Sequence, residues 1–125
     1  MLIEPVMPAE YSATQEVVRR AFLTADHTDG DEYQLIARLR AESDYHPEFD
    51  VVAKLPDGTI VGHAMLSPIR IIDGKVQHVA LALAPLAVAP EYQHQGIGGQ
   101  LMRYLEQAVT TAGWPALTFR LNITC

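Results

Sequence analysis

The sequence predicts a mixed α/β fold, with a central, mostly antiparallel sheet and helices on both faces. The apolar residues follow a helical period in the first third of the chain and a strand-like pattern from Phe49 onward. Turn sequences at Pro56–Gly58 and Asp73–Gly74 join strand-like runs into hairpins. The run Val79–Ala89 has no polar side chain, which is typical of a central strand covered on both faces. The length of 125 residues fits one domain, which we assign to residues 1–125.

The N-terminal part predicts a short strand and two helices. Leu2–Val6 suits a strand, and Pro8 suits the first turn of a helix because its missing N–H would have no partner there. Apolar residues at helical spacing continue this helix to Leu23. After a polar loop, a second helix is predicted from Asp31, which together with Gln34 three residues later resembles a capping box.

The central part predicts two consecutive hairpins. Val51–Ala53 pairs with Ile60–Leu66 across the first turn, and residues 69–72 pair with the strand from Val76 across the second. Pro85 interrupts that last strand, because proline has no N–H for a ladder and is rare in central strands. A bulge or a local splay resolves this conflict, and a splay would free main-chain groups at Leu86–Val88 to bond something other than a strand. An ordinary kink without a function is the alternative.

Composition and charge exclude several classes of protein. Nine basic against fifteen acidic residues give a net charge of −6, which argues against a general nucleic-acid binder. Cys125 is the single cysteine, which excludes an internal disulfide and a thiolate-rich zinc site, and no metal is expected. No apolar stretch approaches the ~20 residues of a membrane span. The first five residues lack the features of a signal peptide, so we expect a cytoplasmic protein.

A glycine-rich segment follows the apolar run and opens a third predicted helix, which Gly113 ends. Gly96, Gly98 and Gly99 lower helix propensity, so another requirement must explain them. Glycine permits close backbone approach, and the first N–H groups of a helix have no internal partner. Together with the positive end of the helix dipole, these groups form a phosphate site.

Three phosphate-binding patterns compete for this segment. A Walker A loop fails because Gly98 is followed by Gly99 and Gln100 rather than by lysine. A dinucleotide fingerprint is weak because Leu101 stands where a small residue is needed. The pattern Gln/Arg-x-x-Gly-x-Gly/Ala is met by Gln93–Gly98. A glycine-rich helix start without a ligand remains the alternative.

The segment Pro85–Gly98, with the helix behind it, resembles the GNAT superfamily of acyl-coenzyme A-dependent N-acetyltransferases. A looser resemblance covers the whole chain and implies a GNAT-like acyl-CoA N-acyltransferase fold. It also implies acetyl-CoA as co-substrate, with its pantetheine arm paired to the fourth strand at Leu86, Ala87 and Val88. The coenzyme's pyrophosphate would be cradled by the backbone amides of Gln93, His94, Gln95, Gly96, Ile97, Gly98 and Gly99.

The resemblance implies direct attack of a neutral amine on the acetyl thioester. This chemistry needs a deprotonated nucleophile, an oxyanion donor and a proton for the leaving thiolate. The free amide of Ala87 or Val88 is the candidate oxyanion donor.

Four residues are candidates for the catalytic base, and none is assigned this role. His63 and His78 lie on predicted strands, where a histidine is more often a packed or surface residue. Glu48 and Asp50 stand at the start of a strand and are expected to be solvated.

The C-terminus departs from the family pattern. The fifth strand is predicted from Ala116–Leu121 and the chain stops at Cys125, whereas family members usually continue with a helix and two strands that often carry a tyrosine acid. Three explanations of the short C-terminal part remain open. The chain is truncated, or another subunit or a swapped element completes it, or it binds the cofactor without turnover. An uncovered edge at residues 118–123 favours a homodimer through this strand.

Two functions follow from these observations. The preferred one is acetyl transfer from acetyl-CoA to a primary amine of a small molecule or peptide. The alternative is a non-catalytic acyl-CoA-binding module without the C-terminal catalytic section. Neither involves nucleic acid or a membrane.

Overall fold

A computed structural model describes residues 1–23, 32–113 and 118–120. The chain forms β1 (Leu2–Pro5), α1 (Tyr11–Leu23), α2 (Glu32–Arg40), β2 (Asp50–Lys54), β3 (Ile60–Asp73), β4 (Val76–Val88), α3 (Ile97–Ala112) and β5 (Thr118–Arg120). The predicted mixed α/β fold is therefore confirmed. The predicted loop before α2, with the capping residue Asp31, lies outside the described residues.

The strands form one five-stranded sheet in the order β1-β2-β3-β4-β5. Neighbours from β1 to β4 are antiparallel, and β5 runs parallel to β4. Leu86 and Val88 of β4 pack in the cluster that contains α3, whereas Ala87 packs with α1 and α2. Since alternate side chains of a strand point to opposite faces, the helices cover both faces of the sheet, as predicted.

Of the alternatives given for Pro85, a bulge is present in β4. Ala64 pairs with Leu86 and Leu66 pairs with Leu83, so Met65 of β3 lies opposite two residues of β4. One of these two is Pro85, whose missing N–H therefore interrupts no regular ladder position. The strand continues beyond the bulge into Leu86–Val88, which are almost completely buried.

Helix α3 approaches β3 very closely at Gly62. A Cβ atom built on Gly62 would lie 3.1 Å from Cδ1 of Leu101 and 3.2 Å from Cγ2 of Ile97. A larger residue would push the first turn of α3 away from the sheet. This contact fixes where the N-terminus of α3 lies relative to the end of β4.

The helices of the described ranges are too short or too polar to cross a membrane.

Candidate functional site

The loop between β4 and α3 is anchored at its start by two hydrogen bonds. The Ala89 N–H donates to the Val61 carbonyl at 2.8 Å, which joins the end of β4 to β3. The Gln93 side chain turns back and its Nε2 donates to the Val88 carbonyl at 3.0 Å. Pro90–Tyr92, which lies between Ala89 and Gln93, forms a single 3-10 turn. The polar side chain of Gln93 therefore has a structural role in holding the loop against the strand end.

Two residues of this loop have left-handed backbone conformations. His94 has φ +64° and Gly96 has φ +84°. A left-handed residue that follows a right-handed one in a loop turns successive N–H groups toward one side, which is the geometry of an anion-binding concavity. A Cβ built on Gly96 meets no atom within 4 Å, so packing does not require glycine there. The backbone conformation requires it, because side chains with a Cβ are strained at positive φ.

The start of α3 leaves a row of N–H groups without main-chain partners. Among the hydrogen bonds of the described residues, the amides of residues 94–99 donate to no carbonyl, and the first bond of the helix joins Gln100 N–H to Gly96 O at 3.1 Å. His94, Gln95 and Gly96 are exposed, Gly99 is half-buried, and the others are buried. The structure thus brings the predicted residues 93–99 together at the positive end of α3.

The register of β3 and β4 shows which main-chain groups of Leu86–Val88 face away from β3. Because Ala89 donates to Val61 and these two residues are opposite each other, the ladder directs the groups of Ala87 toward β3 as well. The N–H groups of Leu86 and Val88 then point to the other edge of β4. On that edge, the described residues of β5 pair only with Leu81–Leu83. Of the two candidate oxyanion donors, the register favours the Val88 amide over that of Ala87.

The four candidates for the catalytic base lie in different surroundings. Glu48 is exposed, as expected, and contacts His46 at 2.9 Å. His63 is completely buried, in line with the expectation of a packed strand histidine. The side chain of His78 lies outside what the structure describes. The expectation that Asp50 is solvated is wrong, because Asp50 is 0% exposed.

Asp50 is buried because three side chains satisfy its carboxylate. Arg40 Nε donates to Oδ2 at 2.7 Å, the Tyr45 hydroxyl donates to Oδ2 at 2.6 Å, and His63 Nε2 lies 2.6 Å from Oδ1. Burial alone would raise the pKa of Asp50, but the hydrogen bonds with His63 and Arg40 outweigh it and lower the pKa from 3.8 to about 2. Burial and the hydrogen bond to Asp50 raise the pKa of Tyr45, so its hydroxyl stays protonated.

This cluster also ties both N-terminal helices to the sheet. Arg40, at the end of α2, donates through Nη2 to Thr14 of α1 at 3.0 Å. Its guanidinium lies 4.0 Å from the ring centroid of Tyr11. Sequence patterns do not reveal this cluster, since its members are separated along the chain and meet only through helix packing.

A small cavity lies beside the cluster, between the end of α2 and β3. Its volume is about 180 Å³, and it is lined by Leu39, Glu42, Asp44, Tyr45, Ser67 and Pro68. Tyr45 therefore belongs both to the cavity wall and to the Asp50 cluster. The cavity is small and partly apolar, and the carboxylates of Glu42 and Asp44 give it a negative potential.

Comparison with known proteins decides the family. The model of the acetyltransferase (GNAT) family matches residues 12–119. The chain belongs to this family. Its resemblance at Pro85–Gly98 is thus confirmed by a match that covers most of the chain.

Two curated GNAT relatives come from Escherichia coli. The uncharacterised N-acetyltransferase YjhQ of strain K12 is 34% identical, over 76% of this chain and 49% of that protein. The uncharacterised N-acetyltransferase YhbS of the same strain is 30% identical, over 98% of this chain and 72% of that protein. The chain therefore spans about half the length of the first of these relatives.

Solved structures confirm the GNAT fold. A GNAT family acetyltransferase from Brucella melitensis in complex with acetyl-CoA superimposes with a TM-score of 0.81 and 28% identity, over 90% of this chain and 70% of that one. YhbS from Escherichia coli in complex with CoA gives a TM-score of 0.77 and 25% identity, over 94% of this chain and 61% of that one.

Proposed function

We propose that this GNAT chain transfers an acetyl group from acetyl-CoA to a primary amine of a small molecule or peptide. The observation that carries the proposal is the row of amides at residues 94–99, which have no main-chain partner and lie directly after a bulged strand. Oriented N–H groups at a helix N-terminus suit a pyrophosphate. The crystals of two related proteins, which hold acetyl-CoA or CoA, support the choice of ligand.

In this proposal, Leu86–Gly99 binds the coenzyme along its length. The amides of residues 94–99 bind the pyrophosphate, while the Gln93 N–H donates to the Pro90 carbonyl at 3.5 Å and Gln93 holds the loop. The outward-facing edge of Leu86 and Val88 pairs with the pantetheine arm. The Val88 N–H lies on the same edge and would stabilise the negative charge that develops on the thioester oxygen. The neutral amine attacks the carbonyl carbon and a C–N bond forms. The C–S bond then breaks, the nitrogen loses one proton, and the thiolate takes up one proton and leaves as the thiol of CoA.

The cavity beside Tyr45 supports an amine as the acceptor. The carboxylates of Glu42 and Asp44 line it, and they would attract a protonated amine before it loses its proton. Ser67, on the cavity wall, pairs with Ala82 in the strand that carries the bulge. The cavity is therefore connected to β4 through one strand.

Release of free thiol from acetyl-CoA over a panel of amines tests the proposal. We expect release with at least one amine, and none above background with the Gly96→Glu variant under the same conditions. Saturable binding of CoA together with no thiol release over the panel would instead support the alternative, a non-catalytic acyl-CoA-binding module.

A further inference from the structure

Arg103 lies in the second turn of α3, and its side chain reaches back toward the helix N-terminus. A Cβ atom built on Gly99 would lie 3.3 Å from Nη1 of Arg103, so the guanidinium lies directly over this glycine. This direction is normal for a long side chain in a helix, which points toward the preceding turn. Gly99 is the last residue of the row whose amides have no main-chain partner. An exposed cation therefore lies beside that row.

The charges around Arg103 do not explain its position. In the part of the chain that the structure describes, Arg103 forms no ion pair. Glu106, one turn further along α3, is not within ion-pair distance. Glu91, in the loop before α3, is held by Arg20, whose Nη2 lies 2.5 Å and 2.6 Å from its two oxygens. Among the described residues, the guanidinium thus has no carboxylate partner, although the chain carries an excess of acidic residues.

A cation at this end of a helix is also opposed by the helix dipole. The N-terminus carries a partial positive charge, which favours anions and repels a guanidinium. An anion between the amides and Arg103 would make this arrangement favourable, because the anion is attracted both by the positive end of the helix dipole and by the guanidinium. The position of Arg103 therefore fits a site built for a negative ligand.

We propose that Arg103 binds the pyrophosphate of acetyl-CoA next to the amides of residues 94–99. This inference rests on the proposed function and adds a charged side chain to a site otherwise made of backbone groups. A guanidinium suits the role because its planar fork donates two parallel hydrogen bonds to phosphate oxygens. The pyrophosphate, rather than the 3′-phosphate, is the group assigned, because the guanidinium lies over Gly99 within the amide row. A Cβ atom at position 99 would press against the guanidinium, whose end would have to shift by a few tenths of an ångström.

Calorimetric titration with CoA, dephospho-CoA and pantetheine tests the proposal. The proteins are the wild type, Arg103→Gln, and the control Lys75→Gln, which removes the same charge from the β3–β4 turn at the opposite end of β4. Arg103→Gln should weaken binding of CoA and of dephospho-CoA by about tenfold each, the size expected for one charge-assisted interaction. Pantetheine binding should not change, and Lys75→Gln should bind all three ligands like the wild type.

Three outcomes overturn the inference. Equal CoA affinity in Arg103→Gln and Lys75→Gln removes Arg103 from the site, and a loss with CoA but not with dephospho-CoA assigns it to the 3′-phosphate. If Arg103→Gln does not fold, Arg103→Lys replaces it, and wild-type affinity in that variant contradicts binding through a guanidinium fork. Failure of the wild type itself to bind CoA would contradict the proposed function instead, so the two failures are distinguishable.

Discussion

At the scale of single residues, two kinds of constraint operate in this chain. At Gly96 the constraint is on the backbone, since φ is +84° and there is open space where a side chain would begin. At Asp50 the constraint is on the partners, since a buried carboxylate is stable only while Arg40, Tyr45 and His63 satisfy it. These positions therefore predict different responses to substitution.

Replacing Gly96 tests the pyrophosphate site. Gly96→Glu should abolish CoA binding in calorimetry, because it places a negative charge and a bulky side chain beside the amides. Gly96→Ala is the matched control, since it introduces the same backbone strain without charge and should cost about 1 kcal/mol of stability. Unchanged CoA affinity in folded Gly96→Glu would show that the site is assigned to the wrong segment.

The Asp50 cluster predicts a specific loss of stability in acid. The folded pKa of about 2 lies below the ordinary value of 3.8, so Asp50 stabilises the fold above pH 3.8, and this contribution is lost as the pH falls toward 2. The full contribution is about 2 kcal/mol by linkage. The measurement is urea unfolding of the wild type and Asp50→Asn at several pH values between 7 and 2.

Asp50→Asn should be several kcal/mol less stable than the wild type at pH 7, about 3 by analogy with other broken buried pairs. The difference between the two proteins should shrink by about 2 kcal/mol at low pH. Glu16→Gln is the control, because its partner Arg19 is a solvent-exposed neighbour on α1. If the difference between wild type and Asp50→Asn does not change with pH, the role given to this carboxylate is wrong.

At the scale of elements, the position of α3 on the sheet controls the geometry of the site. The first turn of α3 packs against β3 at Gly62 and against β4 at Gly98, so a shift of this helix would move the amide row relative to Val88. The two contacts differ in tightness. A Cβ on Gly98 would lie 3.8 Å from Leu86 Cδ2, which is ordinary contact, whereas the contacts at Gly62 are as short as 3.1 Å.

This difference predicts opposite effects of adding one methyl group. Gly62→Ala should destabilise the protein by about 1–3 kcal/mol through overpacking. Gly98→Ala should stabilise it by roughly 0.5–1 kcal/mol, because alanine has the higher helix propensity and fits the space. Chemical unfolding of both variants against the wild type measures this, and a stability change of the same sign in both would contradict the packing described.

The elements also show which features could be predicted from the sequence. The sequence predicted the hairpin turns, a bulge or splay at Pro85, and the start and end of α3, because each depends on residues that are neighbours along the chain. The burial of Asp50 was not, because its partners Arg40 and His63 come from other elements and meet it only in the folded protein. The sequence likewise left the oxyanion donor open between the amides of Ala87 and Val88, because only the register of β3 and β4 shows which amide faces away from β3.

At the scale of the whole molecule, the sheet, the two helical layers and the family match support one GNAT fold over residues 12–119. The assignment of residues 1–125 to one domain and the cytoplasmic location stay predictions. The homodimer also stays a prediction, since only residues 118–120 of the predicted edge segment 118–123 are described.

The dimer prediction has a direct test in solution. If the strand predicted at residues 118–123 pairs with a second copy, analytical ultracentrifugation at micromolar concentration should give twice the mass of the chain. The introduction of proline at Arg120, which blocks ladder hydrogen bonds, should shift the protein toward the monomer. A wild type that sediments as a monomer and unfolds cooperatively would contradict the prediction.

The central claim is that Leu86–Gly99 binds acetyl-CoA through its main chain. Amide chemical shifts in ¹H–¹⁵N spectra, followed while CoA is added, test it most directly. The prediction is saturable shifts at Leu86, Val88 and residues 93–99, with small changes at the remote β3–β4 turn. Saturable binding with the largest shifts elsewhere, or no shifts at millimolar CoA, would contradict it.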